Sequence, residues 1–151
     1  MARLFSLSCV VIALAVSNMA LASNPQVDAL RQQVKVLRAE QKVVVKVIEA
    51  RYEKVIQSGK LGEKELAAEK RILREQEKSY LALGGTAEQQ NTIRDEYRLL
   101  QGVLSGDIHV DAAIISKLRA QKSAHTKLVS ALYKAKIAEL DNLIRIASKR
   151  R

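Results

Sequence analysis

The sequence predicts an all-α protein: an antiparallel four-helix bundle, two αα-hairpins in chain order, whose long first and last helices form a coiled-coil-like stalk. Three observations carry this. After residue 24, apolar residues recur in steps of three and four, the spacing that lines one face of a helix. The recurrence breaks at Ser58-Gly59-Lys60-Leu61-Gly62, Gly84-Gly85-Thr86 and Ser105-Gly106-Asp107-Ile108, each with turn chemistry. Connections this short make successive helices antiparallel neighbours.

The first residues read as an export signal. Met1-Ala2-Arg3 gives a positive start, Leu4 to Val16 is uncharged and mostly apolar, and Ala20-Leu21-Ala22 places small residues before a cut after Ala22. The expected division is therefore a signal peptide over 1–22 and one helical domain over 23–151, destined for the periplasm or the medium. Retention as a membrane anchor is the rival reading, because Leu4 to Ala22 approaches the roughly 20 residues that span a bilayer. Ser6, Ser8, Ser17 and Asn18 weigh against it. Cleavage also removes Cys9, the only cysteine, and with it disulfides and thiolate metal sites.

The first helix is expected to start at Asn24-Pro25, where Asn suits the N-cap, Pro the first helical position and Asp28 the positive helix end. Val27, Leu30, Val34, Leu37, Gln41, Val44 and Ile48 then keep heptad spacing, and the stripe drifts to Tyr52 and Val55 before the helix ends near Gln57. The run Val43-Val44-Val45-Lys46-Val47-Ile48 has strand propensity, but the helical period on both sides of it favours helix. Gly59 or Gly62 is expected to supply a left-handed C-cap. The second helix begins with Glu63 and Glu65, turns Leu66, Ile72, Leu73, Tyr80 and Leu83 inward, and carries a mixed-charge outer face with Glu69, Lys70 and Arg71. Thr86 and Gln89 have capping-box spacing for the third helix, with Ile93, Tyr97, Leu100 and Leu104 as its stripe. Asp107 or Asp111 caps the fourth, whose stripe includes Ile114, Leu118, His125, Val129, Leu132, Tyr133, Ile137, Leu140, Ile144 and Ala147. The recurrence of Ser-Gly plus an aliphatic residue at 58–61 and 105–108 is equally consistent with duplication and with convergent turn chemistry.

Lengths set the overall shape. At 1.5 Å per residue the first and last helices reach roughly 50 and 58 Å and the middle two roughly 31 and 26 Å, so the ends of the outer pair must project together. Their apolar stripes continue there, through Val27, Leu30, Val34 and Leu37 on one helix and Ile137, Leu140 and Ile144 on the other. These seven residues form a helix-seam interaction surface that either pairs within the chain or recruits a second copy.

Charge narrows the function. The formal net charge is +10, and residues 107–151 hold +6 of it. Between Ala112 and Ala138 lie Lys117, Arg119, Lys122, Lys127, Lys134 and Lys136, with no Asp or Glu. Lys117, Arg119, Lys127, Lys134, Arg145, Lys149, Arg150 and Arg151 are the candidate anion- or partner-binding residues, while Lys122 and Lys136 fall within the apolar stripe and would either snorkel or pair with an acid of a neighbouring helix such as Glu69 or Glu77. Such a field suits acidic or unfolded protein clients or an anionic membrane surface. Specific nucleic-acid binding is not expected, since stacking aromatics are scarce: one Phe, in the export segment, and four Tyr. Catalytic residues are not identifiable, because there is no glycine-rich phosphate loop and Ser123 and Thr126 cannot form a triad with His125 on one helix. Asp107-Ile108-His109 with Asp111 offers metal-ligand atoms, but a completed set is not apparent, so neither metal nor cofactor is assigned.

Thr86-Ala87-Glu88-Gln89, followed by Gln90, resembles one copy of the LTxxQ motif of small periplasmic stress chaperones and metal-responsive proteins. The resemblance implies an exported, cysteine-poor helical dimer. Gly85 stands where that motif has Leu, and a second copy is not evident, so the family's binding surface is not carried over. The function expected is that of a non-enzymatic exported helical interaction protein, chaperone- or adaptor-like, acting as a homodimer or with an envelope partner. The alternatives are a structural component of an envelope or secretion assembly and a periplasmic metal-responsive sensor using His109.

Overall fold

The computed structural model describes residues 24–150. The expected export signal and its cleavage, Cys9, the expected capping role of the Asn24 side chain and Arg151 lie outside the described residues and side chains. The described residues form four α-helices: α1 (Asn24–Ile56), α2 (Glu63–Leu81), α3 (Ala87–Leu104) and α4 (Ala112–Lys149). The closest pairings are α1 with α4 and α2 with α3.

Helical burial resolves the β-branched run in α1. Val44 and Ile48 are 2% and 1% exposed, whereas Val43 and Val45 are 42% and 41% exposed, which a four-residue period allows and a two-residue strand period does not. The helix stops at a short 3-10 turn, Ser58–Lys60, closed by the Leu61 N–H on the Ser58 carbonyl at 3.1 Å. The expectation of a left-handed glycine there is corrected: positive φ among the described residues occurs at Gly84, Gly85 and Gly106, and Gly62 instead serves as the extended N-cap of α2. The two Ser-Gly turns thus differ in conformation, one a 3-10 turn and the other using Gly106 at φ 79°, which lends duplication no support. Asp28 lies just past the first turn of α1 and faces Arg31 at 3.6 Å.

The caps of the other helices follow their sequences. Thr86 accepts from the Gln89 N–H at 3.1 Å while Gln89 Oε1 accepts from the Thr86 N–H at 2.9 Å, a complete capping box. Asp111, rather than Asp107, caps α4 by accepting from the Ile114 N–H at 2.8 Å. Gly85 adopts φ 97° and lies so close to α4 that an added Cβ would stand 2.7 Å from Leu132 Cδ2. The Leu of the resembled motif has no room there.

That contact also fixes where the body ends. The α2–α3 turn meets α4 at Leu132, and Glu40 accepts from the Tyr133 hydroxyl at 3.0 Å. Beyond this level α1 and α4 continue as a pair for roughly 25 Å, at 1.5 Å per residue. They are antiparallel, as Arg38 on Asp141 and Tyr52 on His125 require. The seam residues face each other inside the pair: Val27, Leu30, Val34, Leu37, Ile137 and Leu140 are at most 8% exposed, and Ile144 is half-buried. Of the two outcomes open for the stripe, pairing within the chain is the one realised.

Candidate partner-binding groove on the stalk

With the seam closed, the exposed chemistry of the stalk lies on its flank. A groove of about 730 Å³ runs between α1 and α4, with Val34, Ala39, Val43 and Ile144 as apolar lining and Arg31, Lys35, Arg38, Lys42 and Asp141 as its charged lining. The four cations follow one another at intervals of four, three and four residues, so a single face of α1 presents them all over roughly 16 Å. Arg38 Nη2 donates to Asp141 Oδ2 at 3.1 Å, and Arg31 is 3.6 Å from Asp28. In both pairs the side chains are about half exposed or more, so water screens them and each contributes at most about 1 kcal/mol. An incoming carboxylate exchanges with such partners at little cost. Lys35 and Lys42 are exposed and have no carboxylate partner among the described residues.

The cations expected from α4 are spread more thinly. Lys117, Arg119, Lys127, Lys134, Arg145, Lys149 and Arg150 are all exposed over a span of roughly 50 Å; Arg119 and Arg150 lie off the side the others share, and most neighbours on that side are roughly 10 Å or more apart along the helix. Arg145 donates to Asn142 Oδ1 at 2.6 Å. Of the two outcomes expected for Lys122 and Lys136, pairing with α2 does not occur: Lys136 stands 3.5 Å from Glu139 on its own helix, and Lys122 has no ion pair among the described residues. Glu69, read from sequence as part of the solvated face, is buried and holds Arg51 Nη1 at 2.7 Å. A long arginine from α1 reaches inward where the period alone put the acid outside.

A second polar cluster lies inside the body. His125 is fully buried, with Nδ1 2.7 Å from Glu96 Oε2 and 2.8 Å from the Tyr52 hydroxyl. Both contacts fall on the one ring nitrogen Nδ1, which supplies either one proton or one lone pair and so cannot donate to Glu96 and accept from Tyr52 at once. Gln121 Nε2 donates to the Tyr52 oxygen at 2.8 Å and to the Glu96 carbonyl at 3.1 Å, tying α4 to α1 and α3. The rings of Tyr52, Tyr80 and Tyr97 stand edge-on to the imidazole at centroid separations of 5.6, 6.2 and 5.0 Å, near the optimum for T-shaped pairs. Among the described residues neither Nε2 nor Glu96 Oε2 has a partner in hydrogen-bond geometry. Burial pushes both the Tyr52 and the Tyr97 phenols above their ordinary range, the nearby Glu96 carboxylate adding to it, so they remain donors. Tyr97 gives its proton to Gln76 Oε1 at 3.1 Å. The cluster is sealed, and its chemistry is that of a fastening.

Metal ligands do not converge. Among the described residues no group of three or more His, Cys, Asp and Glu side chains could hold an ion, and Asp107, His109 and Asp111 are each exposed at the start of α4. Nor is any helix of the described residues long and apolar enough to cross a membrane.

The sequence reading missed the α1 cations because it weighed stretches free of acids, and Glu40 interrupts this one. Projecting 31, 35, 38 and 42 onto one helix face would have found them. No protein-family model, curated protein or solved structure matches the chain.

Proposed function

We propose that this chain is a non-enzymatic, exported helical interaction protein of chaperone or adaptor type, which grips an acidic partner through the flank of its stalk. The observation that carries this reading is the set of four cations in register over an apolar floor, two of them without a carboxylate partner among the described residues. The helix pair beneath supplies a platform whose own seam is already covered, so a partner need not displace it. The exposed cations of α4 add a long-range field that attracts the same partners and raises their encounter rate.

The seam no longer motivates a second copy, because the chain covers it itself. A copy docked on the groove would also bring its own Arg31, Lys35, Arg38 and Lys42 against these. An acidic partner removes that repulsion.

Titrating labelled poly-glutamate with the protein at low and high salt, read by fluorescence anisotropy, tests the reading. Binding at low ionic strength that fades as salt screens the cations is the expected result. Absence of binding at every ionic strength contradicts it.

A further inference from the structure

We infer that the groove takes an acidic amphipathic α-helix, laid along α1 and α4 as the third rod of a coil; this rests on the acidic-partner reading above. The cations recur with the 3.5-residue repeat that keeps facing residues in step between packed helices. A partner helix with acids at the same intervals aligns a carboxylate with each, including Lys35 and Lys42. The floor adds a requirement that charge alone does not meet. Ala39 is small enough to let a backbone approach, and Val43, 42% exposed, is one of three large apolar side chains left in water among the described residues. A polyanion covers the cations and leaves Val43 wet, whereas an amphipathic helix covers both, as in helix-in-groove recognition generally. A single lipid headgroup reaches only part of a cation row strung over roughly 16 Å, and a membrane surface, which offers many, is the rival that vesicles test.

The test uses the full chain and a synthetic peptide of several heptads, with Leu and Ala on one face and Glu beside them. Its controls are a peptide of the same composition in scrambled order, vesicles of phosphatidylglycerol and phosphatidylcholine, and sedimentation of the protein alone. The expected result is binding of the amphipathic peptide with a gain of helicity, about tenfold or more tighter than the scrambled one. Lys35→Glu with Lys42→Glu, and separately Val43→Ser, weaken it by about tenfold, with the far-UV spectrum of the protein unchanged. Equal binding of both peptides overturns the helix and leaves acidic capture standing. Binding of neither overturns both. Vesicle binding without peptide binding, self-association that blocks the peptide, or unchanged affinity in the folded variants each overturns the inference.

Discussion

His125 shows what single residues contribute here. Shielded from water, it gives the buried Glu96 carboxylate a polar neighbour 2.7 Å away. His125→Ala leaves that carboxylate alone beside a new cavity, and chemical denaturation should register a loss of about 3–5 kcal/mol. Replacing both partners, as in His125→Leu with Glu96→Met, should recover most of the loss, since an apolar pair of similar volume needs no partner. Glu77 behaves in the opposite sense. Burial raises its carboxyl above the usual range, against the pull of Arg94 and Arg98, so the folded state favours its protonated form. Its contribution is therefore present below the unfolded value, about pH 4.3, and is lost as pH rises through the folded one. Glu77→Gln should raise the melting temperature at neutral pH and leave it unchanged well below pH 4, where both states are protonated. The histidine's burial was legible from its place on the stripe, whereas its carboxylate partner was not, because Glu96 comes from another helix.

At the scale of elements, most of the architecture was written locally. Heptad spacing, the Thr86–Gln89 box and the cap at Asp111 each require only neighbours in sequence, and the helices begin and end within a few residues of those marks. What depended on contact between elements was less legible. Gly59 and Gly62 looked like a left-handed stop, yet a 3-10 turn suffices there; the positive-φ glycines are Gly84, Gly85 and Gly106, and of these Gly85 also lies against Leu132. Gly85→Ala combines a positive φ with an overlap on α4 and should cost about 1–3 kcal/mol in equilibrium unfolding. Gly59→Ala, with open space around it, should change stability much less. The stalk, two helices without the cover of α2 and α3, should exchange its amide protons faster than the body does. Exchange of residues 24–36 and 141–149 ahead of residues 44–55 and 118–129 is the expected order.

The whole molecule joins a sealed body to a projecting pair of helices, and these two parts divide the work. The body fastens the outer helices together around the four tyrosines and His125, while the stalk carries the groove. Relative helix lengths made the stalk legible in the sequence. The groove was not, since it forms only where α1 meets Asp141 and Ile144 of α4, a register that no single stripe reveals. Four cations thus line the stalk groove over its apolar floor, whereas the others, carried by all four helices, lie outside that lining. The most direct measurement is the affinity of the acidic amphipathic peptide for two charge-reversed proteins at the same ionic strength. One carries Lys35→Glu and Lys42→Glu in the groove, the other Lys117→Glu and Arg119→Glu on the body, so the change in net charge is the same. Gripping by the stalk predicts a loss of about tenfold in the first and a loss of less than about threefold in the second. Equal losses, or a larger loss from the body pair, would contradict it.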